Sequence, residues 1–244
     1  MIDHQNFILA ALDDEERRAL LADARQMPLI FGETILQHDQ PVTHVYFPES
    51  GVISIITEAA NGEAAEAGVT GSEGAAALPE ALGSGVMRSK GVVQAAGMAW
   101  RVGAEACRTL HMTSERFRTA AAKASEFQVV EARQSLLCRS YHPVEQRLAR
   151  WLCEMVERSS THYGTLPMTQ EILAVMLAVQ RTTVTAAATR LRKAGLISYM
   201  RGKIVIRDVA GLEKVACACH GTVREAETQI LGRKRTGPPL AVAS

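Results

Sequence analysis

The stretch Met168–Asp208, "MTQEILAVMLAVQRTTVTAAATRLRKAGLISYMRGKIVIRD", holds seven Lys or Arg against two Asp or Glu, a local balance of +5. The whole 244-residue chain carries only +1. The apolar spacing of the stretch reads as two short helices and a hairpin. Thr169 is placed to cap a helix running to about Leu177, with Ile172, Leu173 and Met176 inward. A tight turn at Ala178-Val179 follows. A second helix runs from Gln180 to about Ala194 and stops at Gly195, a residue suited to a C′ position. At about 100° per residue, Val184, Ala187, Ala188 and Leu191 form its buried face. Thr182, Thr185, Ala186, Thr189 and Lys193 lie opposite. Threonine hydroxyls donate to phosphates and exchange hydrogen bonds with base edges, and the methyl packs on thymine. Arg181 stands at the helix N-terminus, the end that reaches base edges in helix-turn-helix proteins. Ile197–Met200 and Lys203–Arg207 then read as two strands around Arg201-Gly202, a hairpin with basic residues at its tip.

Outside this stretch the charge reverses. Residues 1–164 carry 15 Lys or Arg against 21 Asp or Glu, a balance of −6. The asymmetry points to a polyanion-facing module joined to an acidic body; chance clustering on a solvated face is the alternative. Five cysteines (107, 138, 153, 217 and 219) lack disulfide-type spacing, which fits a reducing cytoplasm. The N-terminus lacks the pattern of a signal peptide, and no apolar run is long enough to span a membrane.

The rest of the chain gives the expected architecture. Residues 5–27 read as one helix, with Ile8, Leu9, Leu12, Leu20 and Leu21 at helical spacing. From 28 to about 103, short Val/Ile/Thr-rich pieces ("VTHVYF", "GVISIIT", "EAGVTG", "KGVVQA", "MAWRV") are punctuated by glycines, the texture of a sandwich or jelly-roll barrel. Helix returns near Ala104. From Ser114 to Tyr141 there is neither Gly nor Pro, and Phe117, Ala120, Ala121, Ala124, Phe127, Val130, Leu137 and Tyr141 share one stripe. A second copy of the chain would cover it, or the chain's own barrel. His142-Pro143 ends that helix, because the residue before proline is pushed out of the α region. "VEQRLARWLCEMVERS" follows as another helix. The fold class is α+β. The division is a barrel with an N-terminal helix over 1–112, a dimerisation helix over 113–141, a winged helix-turn-helix over 142–220 and a tail over 221–244, with "GRKRTGPPLAVAS" disordered.

This order resembles the CRP/FNR family of bacterial transcription regulators over about residues 5–220. The pieces that carry it are "MTQEILAVMLAVQRTTVTAAATRLRKAGLI", "RGKIVIRD" and "FPESGVISI". The resemblance implies a cytoplasmic homodimer that binds double-stranded DNA at a pseudo-palindromic operator and works with RNA polymerase, with no catalytic residues and no cofactor. Arg181 matches the family's guanine-contacting arginine. Thr182 and Ala186 stand where many members carry a base-reading glutamate and arginine, so the operator sequence is not carried over. Thr169, Gln170 and Thr183 match phosphate-contacting positions. Gln180, Thr185, Thr189, Arg201 and Lys203 complete the expected DNA-contacting set.

The family's barrel also implies an effector pocket. Arg88-Ser89 resembles the phosphate-holding half of a cyclic-nucleotide site. The ribose half falls near Ala75-Ala76, which offers no carboxylate, and Glu73 lies close but out of register. An effector other than cyclic AMP, or no effector at all, is expected. A metal set is not expected. In "CACH", Cys217 and Cys219 would diverge by about 200° on a helix, which favours packing thiols. The cysteine cluster of the family's iron–sulfur members has no counterpart before Cys107. The competing readings are a barrel enzyme with an accessory nucleic-acid-contacting domain, a cyclic-nucleotide-responsive regulator, and an adaptor whose winged helix no longer meets DNA.

Overall fold

The computed structural model describes residues 5–158, 164–200 and 202–233. Two short helices, α1 (Phe7–Ala11) and α2 (Asp14–Leu21), precede strand β1 (Arg25–Leu29). The single helix expected over residues 5–27 is therefore two helices and a strand. Leu12 is extended (φ −80°, ψ 147°), and Asp13 restarts the helix through a capping box with Glu16. Pro28, which has no N–H to donate, is tolerated because β1 is an edge strand. Asn6, fully buried, accepts from the Ile8 and Leu9 amides and donates to the Pro48 and Gly74 carbonyls, tying α1 to the barrel.

The barrel continues with β2 (Thr34–Leu36), β3 (His44–Pro48), β4 (Val52–Glu58), β5 (Ala64–Thr70), α3 (Leu78–Leu82), β6 (Lys90–Ala95) and β7 (Gly97–Gly103). Its strands form two antiparallel sheets, ordered β1-β7-β3 and β2-β6-β4-β5. Each of the five apolar pieces in the sequence contributes one of β3 to β7. The "FPESG" turn between β3 and β4 is packed hard against the start of β7. A Cβ on Gly97 would lie 2.3 Å from the Ser50 carbonyl oxygen, so only glycine fits there.

Helices α4 (Ala104–Thr113) and α5 (Glu115–Tyr141) follow, and Ser114 caps α5 by accepting from the Phe117 amide at 2.9 Å. Phe117, Ala120, Ala121 and Ala124 enter the barrel core. The first half of the stripe on α5 is thus covered by the chain itself, contrary to a second copy covering its whole length. The exposed apolar side chains of α5 are Val129, Leu136, Leu137 and Tyr141. His142 is extended and ends the helix.

The C-terminal region runs α6 (Val144–Arg158), β8 (Thr165–Leu166), α7 (Gln170–Leu177), α8 (Arg181–Lys193), β9 (Ile197–Met200), β10 (Lys203–Ile206), α9 (Val209–Val215) and α10 (Cys219–Leu231). A small sheet ordered β8-β10-β9 backs the helices, and β8 is a strand that the sequence did not signal. α10 extends beyond the expected end of the winged helix at residue 220. Its Val223 and Leu231 pack on Phe127 of α5, so residues 221–231 are helix. The disorder expected of "GRKRTGPPLAVAS" concerns mainly residues 234–244, which lie outside the described set. Cys217 sits in the break after α9, ahead of α10, and the 200° divergence expected of a helical Cys217 and Cys219 does not apply. Among the described residues, no single helix is long and apolar enough to cross a membrane.

Candidate nucleic-acid interface

The geometry of α7 and α8 follows from three local features. The Thr169 hydroxyl accepts from the Ile172 amide at 3.3 Å and starts α7. Ala178 adopts a left-handed conformation (φ 49°, ψ 55°) and ends it, and the Val179 amide closes the turn onto the Ala174 carbonyl at 3.0 Å. Alanine there costs about 1 kcal/mol relative to glycine. The two helices meet at 104°, within the range of helix-turn-helix pairs. Val184, Ala187, Ala188 and Leu191 are buried as their spacing predicts, and Leu173 and Met176 meet them from α7. Ile172, expected inward, is half-buried.

What remains outside is the polar face. Gln180, Arg181, Thr182, Thr183, Thr185 and Ala186 are exposed, and Thr189 is half-buried. Arg181 reaches back to Glu171 at 2.6 Å across the turn, which keeps its guanidinium at the α8 N-terminus. The Thr185 hydroxyl lies 2.7 Å from Gln170 Oε1 and 2.9 Å from the Arg181 carbonyl, so Gln170 and Thr185 brace one another. The β9–β10 hairpin pairs Met200 with Lys203 around Gly202, whose φ of +77° suits glycine. Lys203 is exposed at the tip. Arg201, expected beside it, lies outside the described residues.

The three residues expected at an effector pocket do not gather. Arg88 pairs with Asp39 at 2.9 Å on the surface. The Ser89 hydroxyl meets that of Thr57 at 3.2 Å. Glu73 is buried, accepts from the Gly71 amide at 2.8 Å, and faces Arg158 of α6 at 3.6 Å. A cavity of about 140 Å³ lies instead between β5, α3 and α5, lined by Ala75, Ala76, Glu80, Gln128 and Glu131 among others.

Sequence reasoning missed the joint between the barrel and the helices that follow. α6 is buried on its charged side as well as its apolar side. Its apolar side enters a core shared with α7, α8 and the outer face of the barrel, including Val52, Ile56 and Val69. Its charged side forms a buried network. Arg158 pairs with Glu131 of α5 as well as Glu73, and Arg150 pairs with Glu154 at 2.7 Å. Burial opposes the charge on Arg158, but Glu131, Glu73, Glu154 and Glu227 outweigh it and raise its pKa. The i, i+4 placement of Arg150, Glu154 and Arg158 was a visible signal.

Glu66 of β5 belongs to the same joint. It accepts from the Ser54 hydroxyl at 2.6 Å and from Trp151 Nε1 of α6 at 3.1 Å. Burial pushes its carboxyl up to about 7, against these two bonds, and the nearby Glu154 and Glu131 add to the rise. A carboxyl raised in the folded state favours folding below its unfolded pKa, and that favour is lost as pH climbs through the folded value. Between roughly pH 4.5 and 7 the chain therefore loses stability to the ionisation of Glu66, by about 3 kcal/mol in all. Glu66→Gln is expected to raise the urea midpoint at pH 8 and to leave it almost unchanged at pH 4.5. An equal effect at both pH values would contradict this account.

A jelly-roll barrel, a long helix and a winged helix thus meet on a shared joint. Residues 146–215 match the model of the Crp-like helix-turn-helix domain. Solved structures with the same fold include a transcriptional regulator of the crp/fnr family from Eubacterium rectale, at 17% identity and a TM-score of 0.67, covering 84% of this chain and 94% of that one. TTHB099, a CRP-family transcriptional regulator from Thermus thermophilus, matches at 18% identity and a TM-score of 0.66, covering 78% and 96%. The c-di-GMP responsive global regulator CLP from Xanthomonas campestris matches at 17% identity and a TM-score of 0.63, covering 80% and 99%. No curated protein matches the sequence. Residues 146–215 are thus similar to the Crp-like helix-turn-helix domain, and the chain as a whole shares the fold of these solved structures.

Proposed function

We propose that the chain acts in the cytoplasm as a homodimer that binds a pseudo-palindromic operator and recruits or hinders RNA polymerase there. The observation that carries the reading is the exposed Arg181 and threonine face of α8, set at 104° to α7 beside the basic β9–β10 hairpin. Arg181 reads a guanine from the helix N-terminus, and Thr182 contacts the neighbouring base edge. Thr169, Gln170, Gln180, Thr183, Thr185 and Thr189 hold the duplex from either side of the turn. Lys203, with Arg201, grips a phosphate beyond the groove. Residues 1–112 act as the sensor, 113–141 as the dimer helix, and 142–220 as the reading module, which α10 prolongs.

Arg181→Ala is expected to weaken operator binding by about 1–3 kcal/mol and to relax preference at one base position. Lys203→Ala should weaken all sequences alike and reduce the salt slope by about one unit. Fluorescence anisotropy on operator and random duplexes separates the two. Equal losses on both duplexes for Arg181→Ala would remove it from base readout.

The barrel takes an effector other than cyclic AMP, or none. Ala75 and Ala76 offer the ribose no acceptor, and an unpaired buried hydroxyl costs about 1–3 kcal/mol. Glu73 does not replace it, because its carboxylate faces Arg158. The cavity beside Glu131 is the better place for an effector. Glu131 lines the cavity and also pairs with Arg158 of α6, so a ligand that engaged Glu131 would bias the orientation of the reading module. Isothermal titration with cyclic AMP is expected to show no binding at low micromolar concentration. A one-per-chain isotherm that also tightened DNA binding would overturn this.

A further inference from the structure

We infer that Cys138, His142, Cys217 and Cys219 form a mononuclear zinc site joining the end of α5 to the start of α10. Their four donor atoms all lie within 4.8 Å of one another. The Cys138 and Cys217 sulfurs are 3.4 Å apart, as are the Cys219 sulfur and His142 Nδ1. A tetrahedral zinc ion with bonds of about 2.3 Å to sulfur and about 2.0 Å to nitrogen needs donor atoms about 3.5–3.8 Å apart. Small side-chain rotations reach that arrangement. An iron–sulfur cluster, whose ligands sit on different irons, needs a wider spread.

The placement follows from the chain. Cys138 lies in the last turn of α5, and His142, the extended residue that ends the helix, donates its amide to the Cys138 carbonyl at 3.0 Å, which keeps the two residues at the same end. Cys217 lies in the extended break after α9, and Cys219 opens α10. The three thiols are buried in a cluster of their own, and His142 is half-buried. Soft thiolates with one imidazole select zinc over hard cations. Three thiolates around a divalent ion leave one net negative charge. Arg150, itself buried, lines the same cleft as Cys138 and offsets it. The Gln134 side-chain amide donates to the Cys219 sulfur at 3.0 Å, an outer contact that would orient this ligand. Four protein ligands leave no open position, so the site is structural rather than catalytic. It clamps the point where the chain enters the winged-helix region to the point where it leaves.

The test uses the full chain, reduced with a phosphine and stripped with a chelator. Titration with Zn²⁺ against a chromophoric competitor should give one ion per chain. Co²⁺ should give the intense visible bands of a tetrahedral site together with thiolate charge transfer. Cys217→Ser and Cys219→Ser should each lower zinc affinity at least a hundredfold. His142→Asn, at a half-buried position that leaves the thiols in place, should lower it at least tenfold. Cys153→Ser, on α6 outside the cluster, should leave affinity unchanged. An octahedral cobalt spectrum, or variants that retain wild-type affinity, would overturn the proposal. So would a reduced chain that takes up no zinc.

Discussion

Replacing Arg158 with methionine is expected to destabilise the folded chain by about 3–5 kcal/mol. The guanidinium is only 1% exposed and sits between Glu73, beside the barrel, and Glu131 of α5. Methionine keeps the aliphatic stem and removes the cation. Two buried carboxylates then lose their counter-charge, with Glu154 and Glu227 close by. Burying a charge without a partner is far more unfavourable than burying a pair. Adding Glu131→Gln to Arg158→Met should recover part of the loss, since it removes one of the stranded charges. Urea unfolding of the three proteins measures the coupling. An unchanged midpoint in Arg158→Met would show that the network contributes nothing to the joint.

The double substitution Val129→Glu and Leu136→Glu is expected to leave the chain folded and monomeric. The two side chains are 46% and 68% exposed, and seven residues apart they share a face of α5. Neither contributes to the chain's own core, so unfolding stability should change by less than about 0.5 kcal/mol per site. In a dimer that meets along this face, four carboxylates would converge without partners. Loss of the dimer removes the second half-site contact, and affinity for a two-half-site operator should fall by about 10²–10⁴-fold. Affinity for an isolated half-site should stay the same. Sedimentation gives the mass and gel shift gives the affinities. A double variant that remained dimeric would place the interface on another face.

The reading module was legible in detail because its determinants are local. Thr169 as a cap, Ala178-Val179 as a turn, Gly195 beyond a helix end and a two-residue hairpin tip are set by neighbouring side chains and backbone preference. The buried face of α8 follows from periodicity alone. The same logic located β3 to β7, where β-branched runs alternate with glycine. It failed over residues 5–27, where apolar spacing continued through Leu12 and hid the second cap at Asp13. It also failed at β8, two residues long, whose partner is nearly forty residues away in β10.

The sequence by itself determined the elements of the reading module, the polarity of the chain from acidic body to basic reader, and the end of α5 at His142-Pro143. Only the tertiary structure decided what covers each apolar face. Periodicity shows that Phe117 to Phe127 must be buried, but the barrel and α10 rather than a second chain do the covering, while Leu137 and Tyr141 at the far end of the same stripe stay exposed beside Val129 and Leu136. It also decided where the charges of α6 go, because a row of Arg and Glu looks like a solvated face until another surface closes over it. Cys138 and His142 meet Cys217 and Cys219 for the same reason. Contacts between residues more than seventy positions apart depend on how helices pack and where the chain breaks, and no local pattern records either.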